Sequence, residues 1–172
     1  MKDEIIPSFH RQSEDREFME QAIEEMQRCE GTPKVGAVVV KNGEILSVGH
    51  RRDRVHAERV AVEAATAKGL SLAGATIYTT LEPCVEVRSK KQPCSALLAD
   101  LNVHSVVIGS YDPNPQINRK GWLALIEAGV TLRDFDPDLR KIIDDLNSGF
   151  VEKFRRGVGP TGRHRFDYTL QD

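Results

Sequence analysis

Apolar residues recur along this chain with two periods. Phe18, Met19, Ala22, Ile23 and Met26 repeat at helical spacing with acidic residues between them, which predicts a helix over 13–29 capped by Ser13 or Asp15. Residues 1–12 read as a loose lead-in, and Gly31-Thr32-Pro33 breaks the helix. Residues 35–40 are a nearly unbroken apolar run, as in a buried strand. Asn42-Gly43 follows as a hairpin turn, and residues 44–48 return as the partner strand. Residues 51–54 form a charged loop.

The pattern then alternates. A helix is predicted over 56–68, with Val60, Ala61, Ala64 and Ala65 on its apolar face and Gly69 as its stop. A third strand covers 75–80. Pro83 is placed to open a helical turn, and 85–93 reads as a cationic loop with Arg88, Lys90 and Lys91. A helix over 94–101, a strand over 104–109, a turn at Asp112-Pro113-Asn114-Pro115, a helix over 122–128 and a fifth strand over 130–133 follow. The last helix runs from 138 to about 154, with Ile142, Ile143, Leu146, Phe150 and Phe154 on its inner face; 156–172 reads as an irregular tail.

A hairpin followed by alternating strands and helices implies an α/β domain, a five-stranded mixed sheet covered by helices on both faces in three layers. At 172 residues the chain reads as one domain over 1–172, with its core at about 14–155. The net charge of −2 gives no basic footprint that would mark a nucleic-acid binder. No apolar run reaches a membrane span, the first residues lack a secretory pattern, and three cysteines are too few for a disulfide framework. The reading is cytoplasmic, with Cys29 as a small buried hydrophobe and His104 as a strand-edge residue.

Composition leaves the chemistry to a few positions. His56, Cys84 and Cys94 offer one imidazole and two thiols, the donor set of a zinc site (Zn2+) that keeps its fourth position open for water. All three stand near predicted helix starts, where unpaired N–H groups favour negative charge. Glu58, two residues after His56, is then the proton shuttle for an acidified water. Two blander readings stand beside this one. The cysteines are a buried pair beside an incidental histidine, or the metal is structural, with Glu58 or His50 as a fourth ligand.

His56-Ala57-Glu58, Thr80-Leu81-Glu82-Pro83-Cys84 and Cys94 resemble the cytidine/deoxycytidylate deaminase superfamily. Val35-Gly36-Ala37-Val38-Val39, Gly74-Ala75-Thr76-Ile77-Tyr78, the wide cysteine gap and Asp112-Pro113-Asn114-Pro115 are similar to its riboflavin-biosynthesis pyrimidine deaminases. The resemblance spans about residues 15–134. It implies a cytidine-deaminase-like fold and hydrolytic removal of an exocyclic amine from a pyrimidine-like nucleotide. A riboflavin-pathway aminopyrimidine is the first substrate, with a (d)CMP-like nucleotide, a free base or a polynucleotide as alternatives. A homo-oligomer is implied as well. A non-catalytic binding module with a structural zinc is the alternative of another class.

The chain departs from that subgroup around the substrate. Thr32-Pro33-Lys34 stands where the subgroup has Pro-Asn-Pro, the cysteine gap is one residue longer, and the loop from His50 to His56 lacks a glycine. Lys34, His50, Asp112, Asn114 and Arg88 are therefore candidate substrate contacts. Each has a plain alternative: a surface histidine, a simple turn or a solvated cationic loop. Arg155, Arg156, Arg163, His164 and Arg165 are interleaved with Phe154, Phe166 and Tyr168, which suits stacking on a base or packing on a partner subunit; packing or disorder is the plainer reading.

Overall fold

A computed structural model describes residues 13–85, 91–115 and 117–156. Five strands form one sheet in the order β2-β1-β3-β4-β5. They are β1 (Gly36–Lys41), β2 (Glu44–His50), β3 (Thr76–Leu81), β4 (Ser105–Ser110) and β5 (Thr131–Asp134). β1 pairs antiparallel with β2 and β3, whereas β3–β4 and β4–β5 are parallel. Asn42 and Gly43 both take positive φ, 53° and 77°, as a tight hairpin turn requires. The mixed α/β sheet expected from the sequence is present.

Strand parity sorts the core into two layers. Val38, Val40, Tyr78 and Val107 face one way, onto Met19, Ala22 and Met26 of α1 (Arg16–Gln27) and Leu139 and Ile143 of a later helix, α5 (Pro137–Leu146). Ala37, Val39, Ile77, Val106 and Ile108 face the other way. They meet α2 (Ala57–Ala67), α3 (Cys94–Asp100) and α4 (Lys120–Glu127) through Ala61, Leu98 and Leu125. Gly49 makes the α2 contact possible, because a Cβ there would stand 2.6 Å from both the Ala57 carbonyl and the Ala61 amide. The backbone of α2 thus lies directly on β2 and fixes the height of its N-terminus.

Several local expectations need correction. Neither Ser13 nor Asp15 caps α1 with its side chain. Ser13 Oγ donates instead to Asp136 (2.5 Å), and the Asp15 carboxylate takes the Tyr78 hydroxyl (2.6 Å) and Arg133. Long-range partners outbid the local cap. Pro83 opens no helix; it lies in the irregular segment between β3 and α3. The last helix is two, α5 and α6 (Ser148–Arg156), interrupted at Asn147. Its inner face is Leu139 and Ile143, while Ile142 and Leu146 are exposed at 42% and 36%. Among the described residues no helix is long and apolar enough to cross a membrane. Arg88, Lys90 and the tail beyond 156 lie outside the described residues.

Candidate active site

The carboxyl ends of β3 and β4, the start of β1 and the N-terminus of α2 meet at one edge of the sheet, where open α/β folds place their ligands. His56 stands at the N-cap of α2 in an extended conformation, and Glu58 lies in the helix's first turn. Cys84 follows β3, and Cys94 is the first residue of α3. Ser95 brings the two cysteines together: its amide (3.1 Å) and hydroxyl (2.9 Å) both donate to the Cys84 carbonyl. The Cys94 amide donates to Cys84 Sγ at 3.3 Å, so the thiol faces the start of α3.

His56 Nδ1 is 3.3 Å from Cys84 Sγ and 3.5 Å from Cys94 Sγ, and the three donor atoms lie within 4.8 Å of one another. Bond lengths of about 2.0–2.1 Å to nitrogen and 2.3 Å to sulfur at tetrahedral angles put N and S about 3.6 Å apart. The observed spacings therefore fit a single tetrahedral metal. The three donors also form one hydrogen-bonded group. The hydrogen bond from Cys94, joined by that from His56, holds the Cys84 thiol far below its ordinary range against the effect of burial. Cys94 keeps its proton, held by that bond to Cys84 and by burial. His56 is raised, chiefly by its contact with Cys84.

Glu58 is 3% exposed, and burial pushes its carboxyl up to about 7. It lines a cavity of about 280 Å³ with His56 and Cys84. The walls are largely apolar, from Pro33, Val35, Leu81, Ile117 and Phe150, with Arg51, Glu82 and Asp112 as further charged groups. A small cleft with apolar walls and a few convergent polar groups suits a compact ring. Asp112 is raised by burial; one of its oxygens accepts from the Asn114 amide (2.8 Å). A larger groove of about 550 Å³, lined by Ser110, Tyr111, Asp144, Asp145 and Glu152 among others, has no His or Cys in its lining.

Of the nine residues singled out from sequence, His56, Glu58, Cys84, Cys94 and Asp112 converge here. Three others are directed elsewhere. The Lys34 ammonium donates to the Cys29 carbonyl (2.6 Å), and His50 Nδ1 faces Glu25 at 3.1 Å. Asn114 is buried in the turn after Asp112 and is not among the cavity's lining residues. Arg88 is outside the described residues.

Two supporting residues escaped the sequence reading. Glu82, 6% exposed, accepts the amides of Asp112 (3.2 Å), Arg119 (3.0 Å) and Trp122 (3.0 Å). It thereby caps α4 from a distance and anchors the segment carrying Asp112 and Ile117. Gly121 lets this happen, since a Cβ there would sit 2.0 Å from the Pro83 carbonyl. Asn147, 4% exposed, grips the Lys34 backbone with both ends of its amide, at 2.8 and 2.9 Å. That clamp holds the strand entry supplying Pro33 and Val35. The only advance signal for Glu82 was its place inside the Thr80–Cys84 motif; Asn147 gave none.

The family model of the cytidine and deoxycytidylate deaminase zinc-binding region matches residues 12–110, more than half of the chain. The chain is 37% identical over 154 residues to the riboflavin biosynthesis protein RibD of Haemophilus influenzae, covering 85% of this chain but 39% of that protein. It is 33% identical over 150 residues to the diaminohydroxyphosphoribosylamino-pyrimidine deaminase of Buchnera aphidicola, covering 84% of this chain and 98% of the relative. Acinetobacter baumannii RibD superposes with a TM-score of 0.74 at 32% identity, covering 83% of this chain and 40% of that one. The chain thus spans about two fifths of the RibD proteins and nearly the whole of the Buchnera enzyme. On this match and these relatives, the chain belongs to the cytidine and deoxycytidylate deaminase family.

Proposed function

We propose that this chain is a zinc-dependent hydrolytic deaminase acting on an aminopyrimidine nucleotide of the diaminohydroxyphosphoribosylaminopyrimidine kind. The observation that carries this reading is the convergence of His56, Cys84 and Cys94 beside the buried Glu58 at a 280 Å³ cavity. Similarity to the Buchnera diaminohydroxyphosphoribosylamino-pyrimidine deaminase supports the substrate class.

His56 Nδ1 and the two sulfurs would hold zinc, which supplies Lewis acidity at the reacting end of the cavity. The remaining roles belong to the chain. Glu58, whose carboxyl burial pushes upward, would take a proton and return it. It accepts a proton from water and delivers it to the ring nitrogen. The water oxygen adds to the ring carbon that bears the amine. Glu58 then carries the second proton to the amine, the C–N bond breaks, ammonia leaves and a ring carbonyl remains. The apolar walls would seat the ring faces, and Asp112 in the lining would present an acceptor to a donor on the ring.

A screen for ammonia release across aminopyrimidine bases, nucleosides and nucleotides, with single-stranded DNA and RNA included, tests the proposal. Release from the phosphoribosylaminopyrimidine above the other compounds is the expected result. Release confined to polynucleotides would replace the substrate class, and no release from any compound would overturn the reading.

A further inference from the structure

Arg51 is the cation that the sequence reading passed over. It follows β2 directly, its amide bonds the Val35 carbonyl (2.8 Å), and its side chain enters the wall of the cavity that holds His56, Glu58 and Cys84. Nη1 donates to the carbonyls of Thr32 (3.1 Å) and Pro33 (3.3 Å), which fixes the guanidinium plane. Among the described residues neither Nε nor Nη2 has a hydrogen-bond partner, and no carboxylate pairs with the group. A half-buried guanidinium held by neutral carbonyls retains its charge and a free donor edge.

The rest of the lining makes that charge consequential. Glu58, Glu82 and Asp112 are carboxyl groups, Cys84 is a thiol, and Arg51 is the sole Lys or Arg of the lining among the described residues. Among apolar walls and three carboxyl groups, Arg51 is the basic side chain that an anion entering the cavity can pair with. A single fixed cation in an acidic, partly dry cavity acts on charged ligands far more than on neutral ones.

We propose that Arg51 is a specificity-determining residue, whose free guanidinium edge binds the phosphate of the substrate and so selects phosphorylated over unphosphorylated aminopyrimidines. This rests on the deaminase reading and adds a named residue to it. The alternative acceptor, a ring carbonyl, is an outcome of the test, because a ring contact affects both compounds alike.

The test is equilibrium binding by calorimetry to the zinc-loaded full chain. The probes are the diaminohydroxyphosphoribosylaminopyrimidine and the same compound without phosphate. Ammonia release is followed in parallel. Arg51→Met is expected to weaken the phosphorylated compound by about tenfold or more and the unphosphorylated one by clearly less, as loss of a charge-assisted contact requires. Arg51→Gln keeps a donor for the Thr32 and Pro33 carbonyls while removing the charge, and is expected to show the same selective loss. Thermal melting checks that each variant is folded. Equal losses on the two compounds, or no loss on either, would overturn the assignment. Ammonia release by the wild type with no phosphate preference sinks the role of Arg51 alone. Phosphate-selective binding without ammonia release sinks the deaminase reading and leaves Arg51 standing.

Discussion

Glu82 shows how much of the site is built by a single carboxylate that touches no metal donor. Its two oxygens receive three amides from a segment 30 to 40 residues away. Glu82→Ala leaves those part-buried N–H groups without their acceptor, and a cost of about 1–3 kcal/mol is expected, read by urea denaturation. Gly121→Ala forces a methyl against the Pro83 carbonyl and is expected to cost about 1–3 kcal/mol by the same measurement. Stability equal to the wild type in both variants would mean that the Glu82 anchor is not what holds Asp112 and Ile117 in place. The donor residues themselves were legible because His, Glu and Cys at those intervals have few other uses. Glu82 was not, because its partners are distant in sequence and are backbone groups that any residue carries. Lys34 and His50 went elsewhere for a related reason: a nearby carbonyl and a buried Glu25 offered partners that no local pattern reveals.

The elements were mostly where the apolar period placed them, and the exceptions share one cause. A single helix from 138 to 154 satisfies the period, yet the chain breaks it at Asn147, whose side chain is committed to the Lys34 backbone. Once α6 turns away from the line of α5, Phe150 leaves the expected core and becomes a wall of the cavity. Asn147→Ala removes both hydrogen bonds of this clamp. The expected result is a loss of about 1–3 kcal/mol in denaturation, with a KM that rises more than kcat falls, since Pro33 and Val35 shape the binding space rather than the proton path. The start of α1 is bolted in a comparable way: Ser13 and Arg16 (3.0 Å) both bind Asp136, which stands at the N-cap of α5. These ties substitute for the side-chain caps expected from Ser13 and Asp15.

Across the whole molecule, two layers of helices hold the sheet so that its ends deliver side chains from separate segments to one cavity. Charge pairs that tie α1 to β5 and α5 add an acid-sensitive component. Burial alone would raise Asp15 and Asp136. Arg133 and Tyr78 instead hold Asp15 below its ordinary range, and Ser13 and Arg16 do the same for Asp136. A carboxyl lowered in the folded state stabilises above its unfolded value of about 4 and loses that contribution as pH falls through the lower folded value. Wild type is therefore expected to exceed Asp136→Asn in stability at pH 6, with the gap closing towards pH 3 in parallel denaturation curves; a gap that widens with acid contradicts the assignment. In the proposed reaction, metal donors and a buried carboxyl act together on an exocyclic amine. Its most direct test is the rate of ammonia release by Glu58→Gln at zinc content matched to the wild type. One zinc per chain is expected in both proteins, with a rate lower in the variant by about 10²–10⁴-fold. A variant that holds its zinc and releases ammonia at the wild-type rate would contradict it.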